Sequence, residues 1–198
     1  MHNRGMGAKA GNSQDHMGSA LAIIAAEHHA FDASLAAIID HIRLVRAHRI
    51  APHAGLFRQG LSYLATFMDH FHHPKEDEFL FKAVRERSRE ADDILADLHA
   101  DHARTPARFA ALIKAVDGTR VGSMAAFEDF ASLMERYAHE QVVHMRRENE
   151  ELVPIALRTL RLADWRAIDA AFRANRDPLF GEGRQQRSGV LAKNPPKR

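Results

Sequence analysis

The chain has 198 residues, 45% of them hydrophobic and 27% charged, enough for one domain with a real core and unlike a disordered composition. It contains no cysteine, so disulfides, thiolate metal sites, iron–sulfur clusters and a cysteine nucleophile are excluded, and any metal must be held by nitrogen and oxygen. The formal charge of +2 conceals an acidic interior, because residues 21–183 hold 21 bases against 25 acids, a balance that argues against a nucleic-acid surface.

Residues 1–16, polar and glycine-rich, lack the apolar stretch of a secretory signal and are expected to form a flexible tail. The domain is expected over 17–180, followed by a flexible basic tail at 181–198 that carries Arg184, Arg187, Lys193, Lys197 and Arg198 without an acid. No uninterrupted apolar run approaches the roughly 18 to 20 residues that span a bilayer, so no membrane partner and a cytoplasmic location are expected.

Between the tails, apolar residues recur at spacings of three and four, the period of amphipathic helices. The first helix is expected from about Gly18 to His48, with the stripe Leu21, Ile24, His28, Phe31, Leu35, Ile38, Ile42 and Val45. After the loop RIAPHAG, the second runs from about Leu56 to Arg85 through Leu61, Ala65, Met68, His72, Glu76, Phe79 and Ala83. Ser88 is the expected N-cap of the third, which carries Leu95, Leu98, His102, Phe109, Leu112 and Val116 and closes at Asp117-Gly118. Ser123 caps the fourth, with Phe127, Phe130, Met134, Tyr137, Gln141, His144, Glu148 and Ile155, ending near Pro154. A short fifth helix, about Asp164 to Ala174, shows Trp165, Ile168 and Phe172. Long amphipathic helices with short links suit an all-α, antiparallel up-down four-helix bundle, with the fifth helix covering one end.

All four stripes are interrupted by polar residues: His28 in the first helix, His72 and Glu76 in the second, His102 in the third, His144 and Glu148 in the fourth. Both HxxxE pairs have i, i+4 spacing, which sets imidazole and carboxylate one turn apart on one face. In an antiparallel bundle the six interruptions fall at similar depths, so four nitrogen and two carboxylate ligands converge in one layer. Buried carboxylates without compensation are costly, whereas a bound cation makes such a layer favourable. His29, His70, His73, His99 and His139 fall off the stripes and are read as peripheral, His73 and His99 being nearest to the inner face. Glu27, Asp77, Asp101 and Glu151 adjoin the candidates and are suited to hold imidazole tautomers. Pro74 has no N–H to offer the carbonyl of His70, so a local kink is expected beside His72 and Glu76.

EH at 27–28, HHPKED at 72–77, DH at 101–102 and HMRRENEELVP at 144–154 together resemble the hemerythrin-like, or HHE cation-binding, family over most of residues 20–155. FRANRDPLFG at 172–181 is similar to endings found in such bacterial proteins. The resemblance implies a bundle around a non-heme di-iron centre, with His28 and His72 on one iron, His102 and His144 on the other, and Glu76 and Glu148 as bridges. Oxygen-carrying members use an HxxxH pair on the third helix, where this chain has Leu98 before His102. They use HxxxxD on the fourth, where this chain has Asn149 after Glu148. The set of four histidines and two glutamates is closer to iron-centre repair proteins and other HHE proteins, although the repair proteins' cysteine-containing amino-terminal segment is absent.

The function expected from this is a di-iron protein that binds or reacts with dioxygen, nitric oxide or peroxide, in sensing, storage or stress protection. Iron-centre repair or peroxide consumption is the enzymatic alternative, although no reaction-specific acid, base or substrate pocket is legible. A helical interaction module holding a single metal is the other alternative, and zinc or another divalent ion can take the same donors in a recombinant sample. No protein partner is legible; a monomer or homodimer is expected.

Overall fold

The stripe Ile24, Phe31, Leu35, Ile42 and Val45 winds along one side of a single helix, α1 (Gly7–Arg46), and all five side chains are buried. These coordinates are a computed structural model describing residues 7–119 and 123–174. Residues 7–16, expected in a flexible tail, continue α1 instead, since adding turns to an existing helix costs far less than starting one. His48, with φ 54°, turns the chain out of α1. The basic tail expected at 181–198 lies outside the described residues, as does the end of FRANRDPLFG.

Helix α2 opens as Ala54–Phe67, with the His53 ring accepting a hydrogen bond from the Leu56 N–H at 3.1 Å. It then widens into a π-helical turn (Met68–His72), returns to α geometry over His73–Lys75, widens again (Glu76–Phe81), and closes as Lys82–Arg87. Pro74 sits between the two widened stretches. Its missing N–H and its ring interrupt the regular ladder, and i→i+5 bonding re-registers the chain on either side of it, so the expected kink takes the form of π turns.

Helix α3 spans Asp92–Gly118. Ser88, expected to cap it, ends α2 in extended conformation, while its Oγ accepts from the Glu90 N–H. The first turn of α3 instead carries Asp92 and Asp93, which suit the positive end of the helix dipole. Helix α4 begins at Met124 behind Ser123, whose Oγ accepts from the Ala126 N–H as expected. It runs through Arg147, a π turn Glu148–Leu152 and Val153–Thr159. Pro154 therefore does not end this helix; it falls early in the segment after the π turn, where a missing N–H costs least. Helix α5 is Leu162–Arg173.

The described residues contain helices and no strand, and they form an all-α helical bundle. Helix α1 packs on α4, α2 on α3 and α3 on α4, while α5 lies along α1. The core is divided in two. One apolar cluster takes Phe31, Leu35 and Ile42 from α1, Leu61 and Phe67 from α2, Phe109 and Leu112 from α3, and Phe127, Phe130 and Met134 from α4. The other takes Ala20 and Ile24, Leu80 and Val84, Leu95 and Leu98, Leu152 and Ile155, and closes under Trp165, Ile168 and Phe172 of α5. Chain order reverses from helix to helix in both clusters, as an antiparallel bundle requires. Each of these large side chains contributes roughly 1.5–3 kcal/mol on burial, so the two clusters clamp whatever lies between them.

Helix α1 also differs from the sequence reading in hydropathy, because Gln14–Arg46 holds a window of mean hydropathy 1.3, long and apolar enough to cross a membrane by composition alone. Within it, Glu27 and His28 are buried among the other helices, and Phe31 and Leu35 belong to the core, which makes it a bundle helix.

Candidate metal centre

Between the two clusters, His28, His72, Glu76, His102, His144 and Glu148 are all buried and meet at one level. His28 Nε2 lies 2.9 Å from His72 Nε2, and His102 Nε2 lies 3.1 Å from His144 Nε2. The carboxylates stand between these two pairs. Glu76 turns Oε1 to His72 and His28, at 3.1 and 3.4 Å, and Oε2 to His102 at 3.5 Å. Glu148 turns Oε2 to His28 at 3.2 Å and Oε1 to His144 and His102, at 3.6 and 4.0 Å.

None of the four carboxylate oxygens has a hydrogen-bond partner, and neither has His28 Nδ1 or His73 Nε2, although all are buried. Leaving polar atoms in that condition costs several kcal/mol. A cation in the layer would satisfy the carboxylate oxygens and His73 Nε2 together, and nitrogen and oxygen donors without sulfur suit first-row divalent metals. Two donor groups share Glu76: His28, His72 and Glu76, and His73, Glu76, His102 and His144, with ligand atoms within 4.8 Å of one another in each. The residues present therefore fit a metal centre.

His73 was read as peripheral, and the structure corrects that. It is 5% exposed and stacks on His102, ring centroids 3.9 Å apart and 13° from parallel. Successive residues of a regular α-helix point roughly 100° apart, so His72 and His73 would not share an inner face. The π turns flanking them change the helical phase and bring both inward. Their sequence signal was the dipeptide itself, two histidines immediately before a proline. The other close candidates stay out. His99 is largely exposed and shares Asp77 with His102, Glu151 is paired with Arg147, and His29 is exposed on α1.

Three of the adjacent acids take the roles for which they were suited. Glu27 accepts from His72 Nδ1 at 2.9 Å, Asp77 from His102 Nδ1 at 3.0 Å, and Asp101 lies 3.5 Å from His144 Nδ1. Each such contact keeps a proton on Nδ1 and turns the Nε2 lone pair toward the layer. Glu151 does not join them.

Without a metal, protons balance the buried carboxylates. Burial works against a charged His28, yet its close contacts with the Glu148 and Glu76 carboxylates raise its pKa to about 9. Burial likewise opposes protonation of His72, but the charge of Glu76 and the bond to Glu27 raise it to about 10. Burial would push the Glu76 carboxyl up; the His72 charge and the His28 contact hold it well below its usual range. His73 is held well below the ordinary histidine value by burial and then by the His102 and His72 charges, so it stays neutral with a free lone pair. Metal binding at this layer must displace protons.

A helical bundle enclosing a buried layer of histidine and glutamate donors defines a cation-binding protein of the hemerythrin type. The model of the hemerythrin HHE cation-binding domain matches residues 19–156, and the chain belongs to that family. No curated protein matches the sequence.

Proposed function

We propose that the layer holds two iron ions, one against His28 and His72, the other against His102, His144 and His73, bridged by Glu76 and Glu148. The pair binds or reacts with dioxygen, nitric oxide or peroxide in sensing, storage or protection. The observation that carries this reading is the disposition of the two glutamates, each with one oxygen toward each histidine pair. A single ion would leave half of those oxygens unmet. Bound iron supplies redox chemistry and an exchangeable coordination position.

The chain's own residues prepare that position. Glu27, Asp77 and Asp101 orient three imidazoles. Phe67 stacks on His72 and Phe81 on His102, with Phe172 edge-on to His72, and these rings keep water from the layer. His73 supplies from α2 a third imidazole on the side where Leu98 leaves α3 without one. A cleft of ≈ 400 Å³ between α1 and α4, with Ala25, Asp32, Met145 and Asn149 in its wall, reaches His28 and gives a small molecule a path inward.

Purification without added metal, followed by elemental analysis and absorption spectroscopy, tests the reading. About two irons per chain with an oxo-bridge absorption are expected, both lost in His72→Ala. One zinc per chain, or a stable metal-free protein that takes up no iron, would leave the helical interaction module standing instead. Iron-centre repair or peroxide consumption would show as steady-state turnover that His72→Ala abolishes.

A further inference from the structure

On the α3–α4 face lies a cleft of ≈ 340 Å³ lined by Arg104, Arg108 and Leu112 of α3 and by Leu133, Arg136, Tyr137 and the Glu140 carboxylate of α4. Its polar groups are incompletely matched. Arg104 donates to Asp101 Oδ1 at 2.6 Å, and Arg108 lies 3.7 Å from that oxygen and 3.1 Å from Glu140. Arg136 has no carboxylate partner among the described residues. Tyr137 is 3% exposed, packs its ring against Phe109, and its hydroxyl has no hydrogen-bond partner. A buried hydroxyl of this kind carries the full desolvation cost until an acceptor reaches it.

Three guanidiniums beside Leu112 and Leu133, with a spare hydroxyl donor, match an anion carried on a hydrocarbon body. Guanidinium is planar and presents paired N–H donors that fit a carboxylate. The site also connects to the metal layer, because Asp101 accepts from Arg104 through Oδ1 while Oδ2 faces His144 Nδ1 at 3.5 Å.

We propose that this cleft binds a small organic carboxylate, its head held by Arg108, Arg136 and the Tyr137 hydroxyl and its body laid on Leu112 and Leu133, and that occupancy is felt at His144 through Asp101. A bound carboxylate competes with Asp101 for Arg104 and Arg108 and so changes how Asp101 holds the His144 imidazole. The binding part stands apart from the di-iron reading.

Calorimetric titration of the full chain, with and without metal, tests it with octanoate as probe and octanamide and inorganic phosphate as comparisons. Octanoate is expected to bind at one saturable site, about tenfold more weakly in Arg136→Ala and in Tyr137→Phe, a loss of about 1.4 kcal/mol each. Ala111→Trp, which fills the cleft from an exposed position without changing charge, should abolish binding. Tyr137→Phe should keep or raise the wild-type Tm, since it removes a buried hydroxyl that makes no bond, so weaker binding there is not unfolding. Absence of octanoate binding, equal affinity in Arg136→Ala, or equal affinity for octanamide or phosphate overturns the site. In the cobalt(II)-loaded protein, octanoate should shift the visible absorption of the wild type and not of Ala111→Trp. No shift in the wild type overturns the link to His144 whatever calorimetry shows.

Discussion

His73 lies face to face with His102, 3.9 Å between ring centroids, with its Nε2 buried and unbonded beside Glu76 and His144. Stacking fixes the ring plane, and burial keeps the ring neutral, which are the two conditions for a nitrogen ligand. His73→Leu preserves an apolar volume in the bundle and should leave helicity intact while weakening metal binding on the His102 and His144 side by tenfold or more. Competition with a chromophoric chelator measures this; wild-type affinity in the variant would exclude His73 from the coordination shell.

Glu27 acts through His72. Its carboxylate, 3% exposed, holds His72 Nδ1 at 2.9 Å. Removing an outer partner of a metal-bound histidine typically costs 10–100-fold in affinity. Glu27→Gln keeps the shape and can still accept a hydrogen bond, so it should lose less than Glu27→Ala in the same chelator competition. Equal losses would mean that Glu27 matters for packing and not for the tautomer of His72.

Stability of the metal-free protein should peak near neutral pH. His28 and His72 titrate at about 9 and about 10 in the fold, above the ordinary 6.5. Their stabilising contribution is therefore complete below about 6.5 and is lost as pH rises through 9 to 10. His73 has the opposite sign: its pKa is depressed, so below 6.5 the unfolded chain gains a proton that the folded chain refuses, and stability falls again in acid. With metal bound, the cation replaces the protons on the alkaline side. Tm measured across pH should decline above about 7 without metal and hold level with it. A flat alkaline limb in the metal-free protein would mean that protons do not balance Glu76 and Glu148.

Asp169 fastens α5 to α1. It accepts from His16, Ser19 and Arg173 at 2.7, 2.5 and 2.8 Å while remaining buried. Asp169→Ala leaves those donors unmatched and should destabilise the protein by about 1–3 kcal/mol. Because Phe172 of α5 packs edge-on against His72, the same change should speed metal loss to a chelator. A Tm loss without faster metal release would separate the docking of α5 from shielding of the layer.

The stripes and their interruptions made much of this legible before any coordinates. Apolar spacing marked the helices, and the i, i+4 pairs His72 with Glu76 and His144 with Glu148 marked the layer, because helical period alone assigns residues to a face. Ser123 was readable as a cap, since a serine before a fresh apolar run has a direct use for its Oγ. Ser88 looked equivalent and was not; caps depend on where the chain turns. Pro154 was read as a stop because proline has no N–H for the helical ladder and its ring crowds the preceding turn, but a π turn just before it changes the bonding pattern.

Composition and period thus determined an all-α chain with nitrogen and oxygen donors on the inner faces of four helices, for these are properties of the single helix. Tertiary structure decided which donors meet. It turned His73 inward through changes in helical phase, paired Glu27, Asp77 and Asp101 each with an imidazole of another helix, and left Glu151 on the surface. Contacts between helices depend on rotations and heights accumulated over tens of residues. A single extra residue in a turn moves a side chain from solvent to the centre, and no local pattern records the sum.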